Sequence, residues 1–160
     1  MAAIRIRRAT LRDLEVLVRH RRRMFEDMGR RHTAKDWEIG DREYRRWVKR
    51  LMSKGEFVGW IAVTPEGEPV AGGAVWLQER QPRPGHGPIK APYLLSMYTE
   101  RAFRGRGLAS RIVRESMRWS KKQGFPYMTL HASTEGRRVY KKLRFTRSWE
   151  MGISFKRKPR

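Results

Sequence analysis

The residues best suited to bind a phosphate group lie between Tyr98 and Ser110, a segment that reads Y-T-E-R-A-F-R-G-R-G-L-A-S. A predicted strand leads into R-G-R-G-L-A, and a predicted helix follows it directly. Glycine lets the backbone approach a ligand closely. The free N–H groups of a helix's first turn form an anion site with the positive end of the helix dipole. Because Arg104 and Arg106 add positive charge there, the pattern predicts a phosphate site.

Three known patterns compete for this segment. The Rossmann motif G-x-G-x-x-G needs a glycine where Ser110 stands, and no acidic residue follows about 20 positions later to bind a ribose. The Walker A motif G-x-x-x-x-G-K-[ST] is absent from the sequence. The R-x-x-G-x-A pattern of acyl-CoA binding is met by Arg104, Gly107 and Ala109. The third interpretation fits these residues best.

With this motif the sequence resembles the GNAT superfamily of N-acetyltransferases, and a second segment extends the resemblance over most of the chain. Members often carry N-x-x-A-x-x-x-Y-x-x-x-G-F near the C-terminus. Here S-T-E-G-R-R-V-Y-K-K-L-R-F, from Ser133 to Phe145, keeps that spacing. The resemblance implies an α/β sandwich of GNAT type. Its mixed, mostly antiparallel sheet would be flanked by helices and would splay between the fourth and fifth strands.

The resemblance also implies acetyl-CoA as the co-substrate, with no metal. Pantetheine would lie in the slot between the splayed strands and pair with backbone groups of Met97, Tyr98 and Thr99. The pyrophosphate would lie on the amides of the segment from 104 to 110, which is Arg104, Gly105, Arg106, Gly107, Leu108, Ala109 and Ser110. The acceptor amine would enter from the other side, between the first two helices and the loop Gln81–Pro92.

The chemistry implied by the resemblance is direct transfer to a primary amine of a small molecule or protein. A neutral amine attacks the thioester carbonyl, a backbone N–H polarises its oxygen, and a tyrosine protonates the departing thiolate. Tyr140 matches that tyrosine, and Ser133 matches the residue that contacts pantetheine. His131, at the end of a predicted strand that faces the slot, is the named candidate for the general base, with water as the alternative.

Three positions depart from the family pattern. Ser133 replaces the usual asparagine and is a shorter donor. Arg144 stands where the family has a glycine before Phe145, which predicts an altered turn after the last helix. Arg101 replaces a frequent proline after the fourth strand.

Hydrophobic periodicity supplies the elements that must position these residues. Alternating apolar residues predict strands, and apolar residues at i, i+3, i+4 and i+7 predict amphipathic helices. The predicted order is β-α-α-β-β-β-α-β-α-β. Strands are predicted over Ala3–Ala9, Phe57–Val63, Val70–Leu77, Tyr93–Thr99, Pro126–His131 and Trp149–Phe155, and helices from Asp13 to Met28, around Tyr44–Met52, from Gly107 to Gln123 and from Thr134 to Leu143. The proline-rich Gln81–Pro92 is predicted to be an irregular loop.

Positive charge dominates the composition, with 38 Lys and Arg against 16 Asp and Glu among 160 residues. Residues 101–160 carry 18 basic and 3 acidic groups, whereas residues 51–100 are close to neutral. Such a field attracts phosphate-bearing partners. It motivates an alternative function, a basic nucleic-acid- or ribosome-associated protein on a GNAT scaffold with weak or regulatory use of CoA. The basic helical face Arg111, Arg114, Arg118 and Lys122 is the surface that it would use.

Length, cysteine content and hydropathy limit the classes of protein to which the chain can belong. The length predicts one domain over residues 1–155, followed by a frayed basic tail at 156–160. The sequence has no cysteine, which excludes a disulfide scaffold, Cys-ligated zinc and a thiol nucleophile. No segment resembles a membrane span or a signal peptide, so the chain is interpreted as a cytoplasmic protein without membrane contact. Pairing of two copies through the C-terminal strand is common in proteins that it resembles.

Overall fold

Five strands form one mixed sheet, in which neighbours in the chain are neighbours in space. The structure is a computed structural model that describes residues 3–85 and 89–155. The strands are β1 (Arg5–Arg8), β2 (Phe57–Val63), β3 (Pro69–Arg80), β4 (Ile89–Thr99) and β5 (Thr129–Leu130). The first four pair antiparallel, and β5 pairs with β4 in parallel. The predicted mixed and mostly antiparallel sheet is confirmed.

Helices cover both faces of this sheet. They are α1 (Leu14–Asp27), α2 (Ala34–Ser53), α3 (Leu108–Lys122) and the short α4 (Gly136–Lys142). Apolar residues of α1 and α2 pack on one face with Phe57, Ile61 and Ala74. Those of α3 pack on the other face with Val58 and Val75. The predicted sandwich of helices around a sheet is therefore confirmed.

Local signals in the sequence explain where the first helices begin. A one-turn 3-10 helix, Leu11–Asp13, precedes α1, and the Asp13 carboxylate accepts a hydrogen bond from the Thr10 backbone N–H at 2.8 Å. The same carboxylate binds both terminal nitrogens of Arg7 at 2.7 and 2.8 Å. At α2, Thr33 and Asp36 form a reciprocal capping box.

The loop prediction for Gln81–Pro92 is wrong in its last part, because β4 begins at Ile89. Proline lacks the N–H that a strand normally uses, yet Pro92 pairs with Leu77 of β3. The Leu77 N–H instead donates to the Glu56 carbonyl on the other side of β3, at 2.8 Å. Leu77 and Pro92 therefore form a non-hydrogen-bonded antiparallel pair, in which the missing N–H costs no bond between these strands.

The predicted strand Trp149–Phe155 does not form. Its alternating apolar side chains are exposed, with Trp149 at 97%, Met151 at 94%, Ile153 at 78% and Phe155 at 91%. The adjacent predicted strand Pro126–His131 also shrinks to Thr129–Leu130. Two residues offer little edge for a further strand to pair with, so within residues 3–85 and 89–155 the tail adds no strand to the sheet. The predicted basic tail at 156–160 lies outside the described residues.

In the part of the chain that the structure describes, no helix combines the length and the apolar character needed to cross a bilayer.

Candidate active site

A bulge in β4 marks the centre of the candidate site. Gly72 pairs with Tyr98 and Ala74 pairs with Leu95, so the single residue Gly73 of β3 lies opposite two residues of β4. Ser96, one of those two, has a φ of +54°, in the left-handed region. A Cβ on Gly73 would overlap the Met97 sulfur, so a larger residue opposite the bulge would force the flexible Met97 side chain to move. Bulges commonly redirect side chains next to active sites.

The bulge brings Leu95 and Ser96 together at a cavity of about 760 Å³ on the face of the sheet covered by α1 and α2. The Tyr44 hydroxyl lies 3.4 Å from the Ser96 Oγ at the end of this cavity. Burial raises the pKa of Tyr44, so its hydroxyl stays protonated. The cavity lies beside the first two helices, as the resemblance implies for the acceptor, but no described residue of Gln81–Pro92 lines it.

A slot opens between β4 and β5 because the two strands pair over only two residue pairs, Tyr93 with Thr129 and Leu94 with Leu130. Beyond them, the stretch from Leu95 to Thr99 has no strand partner on the β5 side within residues 3–85 and 89–155. The predicted splay between the fourth and fifth strands is therefore present, and the predicted pantetheine contacts Met97, Tyr98 and Thr99 lie along its edge.

The segment Arg104–Ser110, here called the glycine turn, follows a one-turn 3-10 helix at Arg101–Phe103 and ends with the first three residues of α3. Gly105 and Gly107 have φ angles of +76° and +74°, and a Cβ on either would meet open space. Gly107 is the N-cap of α3, and the first intrahelical bond runs from the Arg111 N–H to the Gly107 carbonyl, at 3.0 Å. The amides of Leu108, Ala109 and Ser110 precede that bond, so they have no carbonyl partner one turn earlier in the helix.

No carboxylate competes for these amides from within the helix, because the first turn of α3 holds no acidic residue. Positive φ angles at two glycines, open space above them and a helix N-terminus together form a site that fits an anionic group. The resemblance places the pyrophosphate of CoA at this arrangement.

The two arginines of the glycine turn differ in their contacts. Arg104 donates to the Thr99 carbonyl at 2.9 Å and also binds the Asp27 carboxylate at the end of α1. Hydrogen bonds from Arg101 and then Arg104 hold the pKa of Asp27 below its ordinary value. Arg106 lies over the Phe103 ring, with its guanidinium carbon 5.0 Å from the ring centroid. Arg104 thus links the glycine turn to α1 through Asp27. Among the residues that the structure describes, Arg106 pairs with no carboxylate.

The turn after α4 keeps its shape although Arg144 replaces the family's glycine. Arg144 has a φ of +66°, in the left-handed region. Its N–H donates to the Lys141 carbonyl at 3.0 Å, and the Phe145 N–H donates to the Tyr140 carbonyl at 3.0 Å. This pair of bonds is a Schellman motif, completed by the contact of the Phe145 and Tyr140 rings at 5.8 Å. The expectation of an altered turn is therefore wrong.

The left-handed Arg144 carries a backbone cost of roughly 1–2 kcal/mol that glycine would not. We expect Arg144→Gly to raise the free energy of unfolding by about 1 kcal/mol, after the extra unfolded-state entropy of glycine is subtracted. Urea denaturation measures this change. Arg144→Ala is the matched control, since it removes the charge but keeps the strain. An equal gain in the alanine variant would contradict the backbone explanation.

Tyr140, the predicted acid, lies on α4 near the point where β4 and β5 separate. Burial raises the pKa of Tyr140 to about 12, with a further contribution from Tyr93. The ring packs with the apolar cluster beneath α3. Its phenol therefore keeps a proton throughout the physiological pH range, as a general acid requires.

His131, the predicted base, directly follows β5 and contacts a neighbouring tyrosine. The Tyr93 hydroxyl lies 2.6 Å from its Nδ1, and the Glu150 carboxylate lies 3.8 Å from its Nε2. Ser133, the predicted pantetheine contact, accepts a hydrogen bond at its Oγ from the Gly136 N–H, at 3.1 Å. It thereby helps begin α4, so one lone pair already has a partner within the chain.

Sequence reasoning missed two residues of this arrangement, namely Tyr93 and Asp27. Tyr93 lies in the first of the two residue pairs that join β4 to β5, and its hydroxyl links His131 to β4. Asp27 joins α1 to the glycine turn across more than 70 residues of chain. No local pattern indicates either contact, because both depend on the packing of distant elements. The adjacent Gly72 and Gly73 could have indicated the bulge at Ser96, because glycine inside a strand often marks a bulge.

Comparison with known proteins agrees with this geometry. The sequence profile of the Acetyltransferase (GNAT) family matches residues 9–145. A GCN5-related N-acetyltransferase from Ralstonia eutropha JMP134 is 26% identical, with a TM-score of 0.83 over 96% of this chain and 99% of that one. A predicted acetyltransferase from Clostridium acetobutylicum, solved with acetyl-CoA, is also 26% identical, with a TM-score of 0.84 over 95% and 96%.

An aminoglycoside N-acetyltransferase, AAC(6')-Iy, solved with CoA, shares the fold at 18% identity, with a TM-score of 0.74 over 98% of this chain and 97% of that one. No protein with a curated function matches the chain significantly. The sheet, the glycine turn and the family profile together define a class of acyl-CoA-dependent transferase. The chain belongs to the GNAT acetyltransferase family.

Proposed function

We propose that the protein transfers an acetyl group from acetyl-CoA to a primary amine. The observation that carries this proposal is that three features meet at one apolar cluster. They are the glycine turn at the start of α3, the slot between β4 and β5, and Tyr140 on α4. Acetyl-CoA supplies a thioester, an acetyl group already activated toward amines. The chain's own groups would bind the phosphates and the pantetheine arm of acetyl-CoA and would transfer two protons.

Each step of the transfer has a candidate group. The N–H groups of Leu108, Ala109 and Ser110 would bind the pyrophosphate, with Arg106 adding charge. The amine nitrogen forms a bond to the acetyl carbon, and the bond from that carbon to sulfur breaks. Tyr140 gives its phenolic proton to the departing thiolate. The proton that the nitrogen loses passes to His131 or to water, which restores charge balance.

The acceptor and the thioester would approach the bulge from opposite faces of the sheet. Ser96 and Leu95 line the cavity between α1 and α2, whereas Tyr140 packs with the cluster on the α3 side. An amine in the cavity and a thioester in the slot would therefore meet at the bulge of β4. A backbone N–H near this bulge would polarise the thioester oxygen, since a bulge leaves one residue out of the strand ladder.

Two measurements test the proposal. Isothermal titration of acetyl-CoA should show saturable binding to the purified protein. A thiol-detection assay should show CoA release that depends on an added amine, across a panel of amino acids, amino sugars, polyamines and peptides. Absence of any affinity for acetyl-CoA would refute the transferase function. Binding without release on any amine would refute the catalytic part while leaving the acyl-CoA site.

The polyanion-binding alternative depends on the basic face of α3. On that face Arg111 donates to the Ile4 carbonyl at 2.8 Å, and Arg118 pairs with Glu115 at 2.6 Å. Two of its cations thus have partners within the fold. No contact on this face favours nucleic acid over solvent, so we propose the transferase function alone.

A further inference from the structure

The charges that line the acceptor cavity carry information about its ligand. Three arginines line the cavity, Arg21, Arg46 and Arg50, against one acidic residue, Glu43. Glu43 is already bound by Arg46 at 3.1 Å and by Arg42 at 3.4 Å. The local field is therefore positive independently of the net charge of the whole chain.

Arg21 is the cation placed most directly toward the bulge. Its guanidinium carbon lies 4.6 Å from the centroid of the Tyr44 ring and 4.9 Å from that of Phe25. The hydroxyl of the same Tyr44 ring reaches Ser96. One ring thus separates this guanidinium from the proposed meeting point of amine and thioester.

Arg21 has no acidic partner to occupy it. Its neighbours on α1 and α2 do, since Arg22 binds Asp41, Arg23 binds Glu100 and Arg45 binds Glu15. Within the described ranges no carboxylate lies within 4 Å of Arg21 or Arg50. An arginine held by aromatic rings beside a cavity keeps its donors available for an anionic group of a ligand.

The rest of the lining is mostly apolar. Met24, Phe25, Trp47 and Leu95 contribute apolar or aromatic surface, and Trp47 stacks against Tyr44 with a centroid distance of 5.9 Å. Ser96, the Tyr44 hydroxyl and the indole N–H of Trp47 are the neutral polar side-chain groups of residues that line the cavity. Such a lining suits an apolar side chain better than a sugar ring, whose hydroxyl groups would lack partners.

We propose that the acceptor is an amine that carries a carboxylate and an apolar or aromatic body, as an apolar amino acid does. Arg21, with Arg50 nearby, binds the carboxylate, the aromatic surface contacts the body, and the amine lies toward Ser96. This assignment deepens the proposed acetyl transfer and rests on it. Repulsion by the same arginines selects against amines that carry a second positive charge.

Matched pairs of acceptors test the assignment. L-phenylalanine, L-leucine and L-tryptophan are compared with their amides in the CoA-release assay. Glucosamine and glucosamine 6-phosphate form a fourth pair. Calorimetric titration of the same compounds into CoA-saturated protein gives a readout independent of turnover. All rates are expressed per neutral amine, because the amine of an amino acid amide loses its proton at lower pH than the amine of the parent amino acid. On that basis we expect at least about a tenfold preference in kcat/KM for the carboxylates over their amides, because hydrogen bonds to charged groups are worth that factor or more.

Arg21 variants identify the source of the preference. We expect Arg21→Gln to remove most of the preference by raising KM for the amino acid, with little change in KM for its amide. Arg21→Lys should restore part of it. Arg114→Gln, which removes one exposed charge on the other side of the sheet, is the matched control and should keep the full preference.

The outcomes separate this inference from the proposed function. Equal or better use of the amides, or a preference for glucosamine 6-phosphate, overturns the carboxylate assignment but leaves acetyl transfer in place. An unchanged preference in Arg21→Gln overturns the role of Arg21. Failure of every compound in both turnover and binding, with acetyl-CoA still bound, also overturns the assignment. Loss of acetyl-CoA binding, or absence of CoA release across the whole amine panel, would instead remove the proposed function.

Discussion

Replacement of Gly107 by valine is expected to weaken acetyl-CoA binding by about 10- to 100-fold. Gly107 has a φ of +74° and caps α3, so it aims the first amides of the helix into the glycine turn. A β-branched residue resists the left-handed conformation. Relaxation of this residue would turn the amides of Leu108 and Ala109 away from the phosphates. Loss of one or two hydrogen bonds to a charged group accounts for the expected factor.

The same helix offers a matched control at its other end. Gly124 follows α3 with a φ of +83°, and a Cβ there would also meet open space. Gly124→Val therefore imposes a similar backbone cost without touching the glycine turn. We expect both variants to lose stability by about 1–2 kcal/mol in urea denaturation, but only Gly107→Val to lose affinity in calorimetry. Equal loss of affinity in both would refute the specific role of the turn.

Replacement of Tyr140 by phenylalanine is expected to lower kcat by about 100-fold, at the lower end of the usual contribution of a general acid. The dissociation constant for acetyl-CoA should change by less than about twofold, because the aromatic ring still fills its place beside Phe145. Steady-state kinetics and calorimetry measure the two quantities separately. Tyr127→Phe, at a residue 39% exposed, is the matched control and should keep full activity.

The pH profile supplies an independent check on this acid. Burial raises the pKa of Tyr140 to about 12, so the phenol remains protonated and able to donate up to about pH 11. We expect kcat/KM to rise with pH as the amine loses its proton and then to stay level through pH 10. A decline with a midpoint below pH 10 that disappears in Tyr140→Phe would show that the phenol ionises earlier. An unchanged kcat in that variant would remove Tyr140 as the acid.

The glycine turn and its helix were predicted closely because their determinants are local. The helix was predicted from Gly107 to Gln123, and α3 spans Leu108–Lys122 with those two residues as its caps. Positive φ angles at glycine and the periodicity of apolar residues act within a few positions of the chain. The Schellman turn at Arg144 shows the limit of this approach. Its hydrogen bonds and the contact of Tyr140 with Phe145 hold an arginine in a conformation that local preference opposes.

The lining of the acceptor cavity could not be predicted from the sequence in the same detail as the glycine turn. The sequence placed it between the first two helices only through a family resemblance, and its lining depends on which side chains meet. Arg21, Arg22 and Arg23 are consecutive and identical in type, yet two of them bind carboxylates and one lies on aromatic rings. Helix rotation and the packing of α1 against α2 decide that difference, and neither appears in a one-dimensional pattern.

In the C-terminal segment, the sequence pattern predicts a strand that the tertiary structure does not form. Trp149, Met151, Ile153 and Phe155 alternate as a strand requires, but they remain exposed. A strand gains stability from hydrogen bonds to a neighbouring edge, and β5 offers only two residues. Alternation specifies which side chains would share a face. It does not provide the neighbouring edge that makes a strand stable.

The sequence by itself determined the order of the elements as far as α4, the glycine turn and the positions of Tyr140 and Phe145, because helix caps, glycine conformations and apolar spacing are short-range properties. Only the tertiary structure decided the bulge at Ser96 and the link from Arg104 to Asp27. It also decided the hydrogen bond between Tyr93 and His131 and the unpaired Arg21. Each of these joins residues distant in the chain, so its energy depends on contacts that exist only after the sheet and helices have packed.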